Sequence, residues 1–303
     1  SAAQTAVALQ LKWVHQAQFA GYYVADDLGY FADAGLDVTF IEGGVGISVL
    51  DALLSGQADF AVWAPEHILL HRSLGEPLVV IATIYQRNPL VLISKPQSNI
   101  FHPVDLANKT LAVGNLDAEI QVAAMLRNVG MTVNDVTIVP YDPSLADFEE
   151  GLVDVVPAFA AGSLMTMEPD KNDFNYLWPL DYGVEIYSDT IITTEKMVQE
   201  NPDLVARFVA AVLRGHRFVI ENPEAAVESS MKYAPDADRA LQKNMIDASL
   251  PLIHTGTDPI GWSDLAVWSS MQDVLLSEGF LTQPVALDEL VDSRFVEMYY
   301  DTE

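Results

Sequence analysis

Trp13, His15, Gln16 and Gln18 crowd one short stretch of "LKWVHQAQFAGYYVADDLGYF" (11–31), where a strand pattern gives way to a helical one. An unpaired carboxamide is costly in a core, so Gln16 beside the Trp13 indole suits an open site better than a packed strand. Other loops that follow strand patterns add similar groups. "WAPE" brings Trp63 and Glu66, "YQRN" brings Tyr85 and Gln86, and "GNLDAE" brings Asn115. "DYGVEIY" adds Tyr182, Glu185 and Tyr187, and Tyr22 and Tyr23 open the first helix, one expected toward a cleft and the other toward the core. Rings to stack on, amides and carboxylates suit a flat, neutral or weakly basic heterocycle with donors and acceptors around its edge. Packing competes for every one of these rings.

Other chemistries lack their residues. The chain has no cysteine, which excludes disulfides, thiolate metal sites and thiol nucleophiles. His15, His67, His71, His102, His216 and His254 are dispersed. His67 and His71, four apart on an expected helix, are the one plausible metal pair, and no third ligand is in view. "EGGVG" (42–46) lies between a strand and a helix, but has neither a Walker lysine nor G-x-G-x-x-G spacing, so a tight turn is the favoured reading. No G-x-S-x-G, H-E-x-x-H or C-x-x-C occurs. No catalytic residue, metal or cofactor is expected. A formal charge of −28 makes nucleic acid a poor partner.

The elements that must position these residues alternate. "VALQLKW", "LDVTFIEG", "ADFAVWA" and "PLVVIATIY" read as strands, with helical spacing in "AGYYVADDLGYFADAG", "GISVLDALLSGQ" and "PEHILLHRSLGE". The pattern restarts with "PLVLISKP", "TLAVGN", "VTIVPYD" and "VVPAFA" as strands and "DAEIQVAAMLRNVGM" as a helix. Such alternation predicts an α/β protein with mainly parallel sheets. "LLSGQADFAVWAP" and "FEEGLVDVVPAFA" echo one another, as two lobes on one plan would, or as two ordinary α/β units would by chance. After "DTIITTE" the chain is helical and has no sheet of its own to pack on. Lobe I is therefore expected to comprise residues 1–89 plus 190–303, and lobe II residues 90–189, with two crossings forming a hinge beside a cleft. Ligands sit outside the carboxyl ends of strands in such folds, which is where the aromatic and amide residues fall. No run reaches about 18 apolar residues, so no membrane span is expected. "SAAQTAVALQ" lacks the features of a signal peptide.

"FAGYYVADDLGYFADAGLDVTFIEGG", "LLSGQADFAVW" and "GEPLVVIATIYQRNPLVLISKP" resemble the periplasmic solute-binding proteins that serve thiamine-pyrimidine-precursor and sulfonate/nitrate ABC importers. "NPDLVARFVAAVLRGHRFVIENPEAA" and "GWSDLAVWSSMQDVLLSEGFL" resemble that family's C-terminal helices. The resemblance implies a type II periplasmic-binding fold, two α/β lobes joined by a two-strand hinge. It also implies a periplasmic or extracellular location, with or without a membrane anchor before processing, and delivery of a small heterocyclic ligand to a membrane ABC permease. A clamp needs no partner subunit, so a monomer is expected, and no covalent chemistry. Fungal pyrimidine-precursor synthases also resemble the chain, but carry a cysteine-rich stretch that is absent here. Their pyridoxal phosphate would want a cleft lysine, and none of the loops above supplies one. The only candidate cleft arginine is Arg87, which speaks against sulfonate or nitrate. Trp13, Gln16, Gln18 and Tyr187 fall where pyrimidine-precursor binders carry similar residues. The resemblance thus implies that Trp13 and Tyr187 sandwich the ring while Gln16, Gln18 and Glu185 read its edge. Two glutamines leave room for a larger ring, which makes riboflavin the rival ligand.

Overall fold

Val7 and Leu9 point inward from Thr5–Gln10 (β1), and the Gln10 amide is held by the carbonyls of Leu11 and Ile41 at 2.9 and 3.2 Å. This strand belongs to the first sheet of the computed structural model, which describes residues 3–167 and 174–302. Leu36–Ile41 (β2), Phe60–Trp63 (β3) and Leu78–Thr83 (β4) follow, each after helical chain. The second sheet is built from Leu90–Ser94 (β5), Thr110–Leu111 (β6), Thr137–Ile138 (β7), Val155–Phe159 (β8) and Asn175–Leu177 (β9). Thr190–Thr194 (β10) then returns to the first sheet.

The sheet orders are β2-β1-β3-β10-β4 and β7-β6-β8-β5-β9. Three parallel strands in each are followed by an antiparallel one, β10 or β5, which is the first strand after the chain crosses from the other sheet. "Mainly parallel" therefore holds for one side of each sheet only. The sequence echo falls on β3 and β8, which occupy the same third place in the two orders.

The crossings run side by side. Ile84 and Tyr85 N–H groups donate to the Asp189 carbonyl at 2.9 and 3.2 Å, Ser188 N–H donates to the Tyr85 carbonyl at 3.1 Å, and Asn88 Nδ2 donates to the Tyr187 carbonyl at 3.0 Å. Paired backbone here keeps the two sheets adjacent.

Several elements are shorter than their patterns suggest. Gly29, at φ 80°, divides the first helical run into Ala20–Asp27 and Tyr30–Asp33. The long C-terminal run breaks at Asn222–Pro223 into Pro202–Glu221 and Pro223–Tyr233, since Pro223 has no N–H to continue the first helix. Helix Arg239–Ile253 falls within the C-terminal stretch expected to be helical, while strand β9 has no counterpart in the sequence pattern. Helices Ala20–Asp27 and Pro202–Glu221 cross at backbone contact, where a Cβ on Gly215 would lie 2.1 Å from the Gly21 carbonyl oxygen. Helix Leu265–Ser277 packs on both Pro65–Ser73 of the first half and Leu116–Asn128 of the second.

Candidate functional site

A cavity of about 400 Å³ opens between the two sheets, lined from the first half by Lys12, Trp13, Gln16, Gln18, Trp63 and His67. The second half contributes Asn115, Asp117, Tyr141, Phe159 and Ser163. The first group sits at or just beyond the carboxyl ends of β1 and β3, and the second at or just beyond those of β6, β7 and β8.

The loop after β1 is fixed from below. The Gln242 side chain accepts the Ala17 N–H at 2.7 Å, and Tyr85 Oη donates to the Gln18 carbonyl at 3.3 Å. Gly43 lets its own loop close over this one, because a Cβ there would lie 2.5 Å from the Leu11 oxygen and the Trp13 nitrogen. The "EGGVG" segment is thus a turn in which Gly43 packs on the neighbouring loop while Val45 stays exposed, and Glu42 Oε1 accepts the His15 N–H at 2.8 Å. Trp13 is left 41 % exposed at the cavity, an indole face with no cover of its own.

A polar relay orients the amides. Lys12 Nζ pairs with Asp189 Oδ1 at 2.6 Å, Gln18 Nε2 donates to Asp189 Oδ2 at 2.8 Å, and Gln16 Nε2 donates to Gln18 Oε1 at 2.7 Å. Both glutamines are thereby held in one rotamer, which lowers the entropy cost of binding. Burial pulls the Lys12 ammonium down, but Asp189, supported by Asp117 and Glu66, outweighs it and raises its pKa. Lys12 Nζ also stands 5.0 Å from the centre of the Phe159 ring, a cation–π contact between the two halves.

The expectation that no lysine reaches the cleft is corrected by Lys12. It lies one residue before the loop considered, and its partner Asp189 is brought in by the return crossing. Asp117, Tyr141 and Phe159 were also missed as individual wall residues. For Asp117 a signal exists, because Asn115 caps helix Leu116–Asn128 by accepting the Ala118 N–H at 2.9 Å, which places the next turn at the cleft.

The sequence-selected residues divide. Trp13, Gln16, Gln18, Trp63 and Asn115 meet at the cavity. His15 bonds Tyr23 Oη through Nδ1 at 2.9 Å, and Tyr22 is buried edge-on against His216 with ring centroids 4.8 Å apart. Tyr85 is buried beneath Gln18. Gln86 donates to the carbonyls of Thr83 and Trp262 at 2.9 and 2.7 Å. Tyr182 packs against His102, and Glu185 lines a separate pocket at the hinge with Arg127 and Asp273. Tyr187 packs beside Trp268, and its hydroxyl accepts the Asp264 N–H at 2.9 Å. The ring found opposite the first half's wall is Phe159. Glu66 is buried beneath the wall, beside Asp117. His67 and His71 both stack on Trp63, at centroid distances of 5.2 and 5.3 Å, and among the described residues no cluster of three or more His, Cys, Asp or Glu could hold a metal ion. Arg87 is not among the lining residues.

Known proteins place this architecture. A riboflavin-binding protein, RibY, from Chloroflexus aurantiacus is 29 % identical, covering 96 % of this chain and 86 % of its own. A formylaminopyrimidine-binding protein from Halalkalibacterium halodurans is 26 % identical, covering 95 % of this chain and 89 % of its own. The structure of the periplasmic sulfonate-binding protein SsuA from Methylobacillus flagellatus superposes with a TM-score of 0.77 at 16 % identity, over 99 % of this chain and 95 % of that one. The fold is therefore the two-lobed periplasmic-binding fold, as its sequence pattern and hinge predict. Residues 16–226 match the family described as NMT1/THI5 like, and the chain belongs to it.

Proposed function

We propose that this protein is the substrate-binding component of an ABC importer and captures a planar nitrogen heterocycle in the cavity between its lobes. The observation that carries the reading is the uncovered Trp13 indole beside two carboxamides already oriented by the Lys12–Asp189 pair. Residues 1–89 with 190–303 form one jaw and 90–189 the other, closing about the paired crossings. The protein works outside the cytoplasm and hands its ligand to a membrane permease. Among the described residues no helix is long and apolar enough to cross a membrane.

The finer choice of ligand turns on charge. Lys12 is held protonated, so its ammonium offers donors and no acceptor. A carbonyl-rich edge such as that of an isoalloxazine meets it well, and the RibY likeness supports a flavin. The second reading, an aminopyrimidine precursor of thiamine, is favoured by the Asp117 carboxylate, which would receive an amino group. An enzymatic role through a lysine–aldehyde adduct needs a neutral amine, and the Asp189 pair opposes that.

A thermal-shift panel of riboflavin, formylaminopyrimidine, thiamine, taurine and nitrate tests the reading. A cognate ligand at 100 times its dissociation constant adds about 2.7 kcal/mol, and Trp13→Ala is expected to weaken that ligand about tenfold through lost stacking. A response to taurine or nitrate alone would overturn the heterocycle.

A further inference from the structure

Beneath the cavity, one contact between the halves has an unusual composition. Glu66, on helix Pro65–Ser73 after β3, is only 3 % exposed. Its carboxyl meets that of Asp117, on the first turn of helix Leu116–Asn128 in the other half. Glu66 Oε2 and Asp117 Oδ1 are both shielded from water, and Glu66 Oε2 has no hydrogen-bond donor. His67 Nε2 stands 2.9 Å from Asp117 Oδ1, at ion-pair distance, and helps hold that carboxyl in its charged form. Two ionised carboxylates cannot share such a site. One proton on Glu66 gives its buried oxygen a role as donor to Asp117 and turns a repulsion into a charge-assisted hydrogen bond.

We propose that closing the cleft takes up one proton onto Glu66, so that the Glu66–Asp117 pair is an acid-engaged latch between the two lobes. Opening separates the halves, returns Glu66 to water and releases the proton. The groups acting on the pair agree on where the proton sits. Burial, then the Asp117 charge, push Glu66 well above the ordinary carboxylic range, against the pull of its own backbone N–H and of Lys12. Burial also raises Asp117, but His67, Glu66 and Lys12 outweigh it and hold that carboxyl below its usual range. Of the other elements packed on these helices, β4 carries no ionisable side chain and helix Leu265–Ser277 carries Asp273, which lines the separate hinge pocket; the short turns Pro103–Leu106, Val133–Asp135 and Pro179–Tyr182, against helix Leu116–Asn128, carry Asp105, Asp135 and Asp181 with Tyr182. A group that binds its proton more tightly when closed favours closure fully below its open-state pKa. That preference is lost as pH rises through the closed-state value. The inference concerns closure and holds for either ligand.

The absence of native cysteine allows two nitroxide labels, at Val45→Cys in one half and Ser144→Cys in the other, both exposed. Electron–electron distance measurements on the ligand-free protein between pH 8 and pH 5 then read the closed fraction. The closed-to-open ratio is expected to rise on acidification, by up to about tenfold per pH unit for one proton. Glu66→Gln keeps a donor to Asp117 and needs no proton, so its closed fraction should be high and flat with pH. Asp117→Asn should flatten the slope as well. A wild-type distance distribution indifferent to pH would overturn the latch. So would a slope that persists in Glu66→Gln and disappears in His67→Gln, which would place the proton on the imidazole.

Discussion

Asp189→Ala should lose about 3–5 kcal/mol of stability, the largest effect expected of any polar substitution in the chain. The carboxylate is 1 % exposed, and it neutralises Lys12 while accepting from Gln18. Its removal strands a lysine whose side chain is only 16 % exposed, and frees the relay that orients Gln16 and Gln18. Urea denaturation of the ligand-free protein measures the loss. The cost should fall on the uncompensated charge, so Lys12→Met in the Asp189→Ala background ought to recover much of it, as paired replacement of buried ions does elsewhere. Equal destabilisation in the single and double variants would mean that Asp189 matters for packing and not for charge. The same substitution should abolish high-affinity binding, since both glutamines would lose their fixed rotamers.

Phe208→Ala should be comparably damaging, at about 3–5 kcal/mol, the range for removing a buried phenyl ring. Phe208, on helix Pro202–Glu221, is fully buried and lies parallel to Phe60 of β3 at a centroid distance of 4.0 Å and to Phe31 at 5.7 Å. This stack fastens the C-terminal helices to the first sheet, and Phe60 sits on the strand that leads to Trp63 and the cavity wall. The variant should therefore unfold at lower denaturant while ligand affinity, measured where it is folded, stays within a few-fold. Loss of binding with unchanged stability would contradict that division of labour.

The fold was readable because its signals are local. Alternation in "VALQ" and a continuous apolar "LVVIAT" can hardly be anything but strands, and Ser48 caps its helix as its position suggests, by accepting the Asp51 N–H at 3.1 Å. Even the similarity of the two halves surfaced as an echo between β3 and β8. The site was readable only where a residue's role depends on its own loop, as for Trp13, Gln16, Gln18 and Asn115. Residues whose fate depends on distant chain were not. Tyr187 is engaged by Asp264 and Trp268, and Gln86 by Trp262, all from C-terminal chain that drapes over the hinge. Lys12 reads as an ordinary surface lysine until the return crossing sets Asp189 against it. The direction of β5 and β10 likewise depends on which sheet the chain has just left.

These features connect into one mechanism. Strand ends deliver rings and amides to the gap between the sheets, the Lys12–Asp189 pair fixes their orientation, and Phe159 and Asp117 face them from the opposite side. Under the proposed function, a ligand would select the closed arrangement in proportion to the extra contacts it offers there.

The most direct test is a crystal structure of the complex with whichever heterocycle stabilises the protein in the thermal panel. The expected electron density is a single planar ring system against Trp13, with an edge on Gln16 and Lys12 and contacts to Phe159 from the other lobe. Density for the ligand outside this cavity, or touching one lobe alone, would contradict the account.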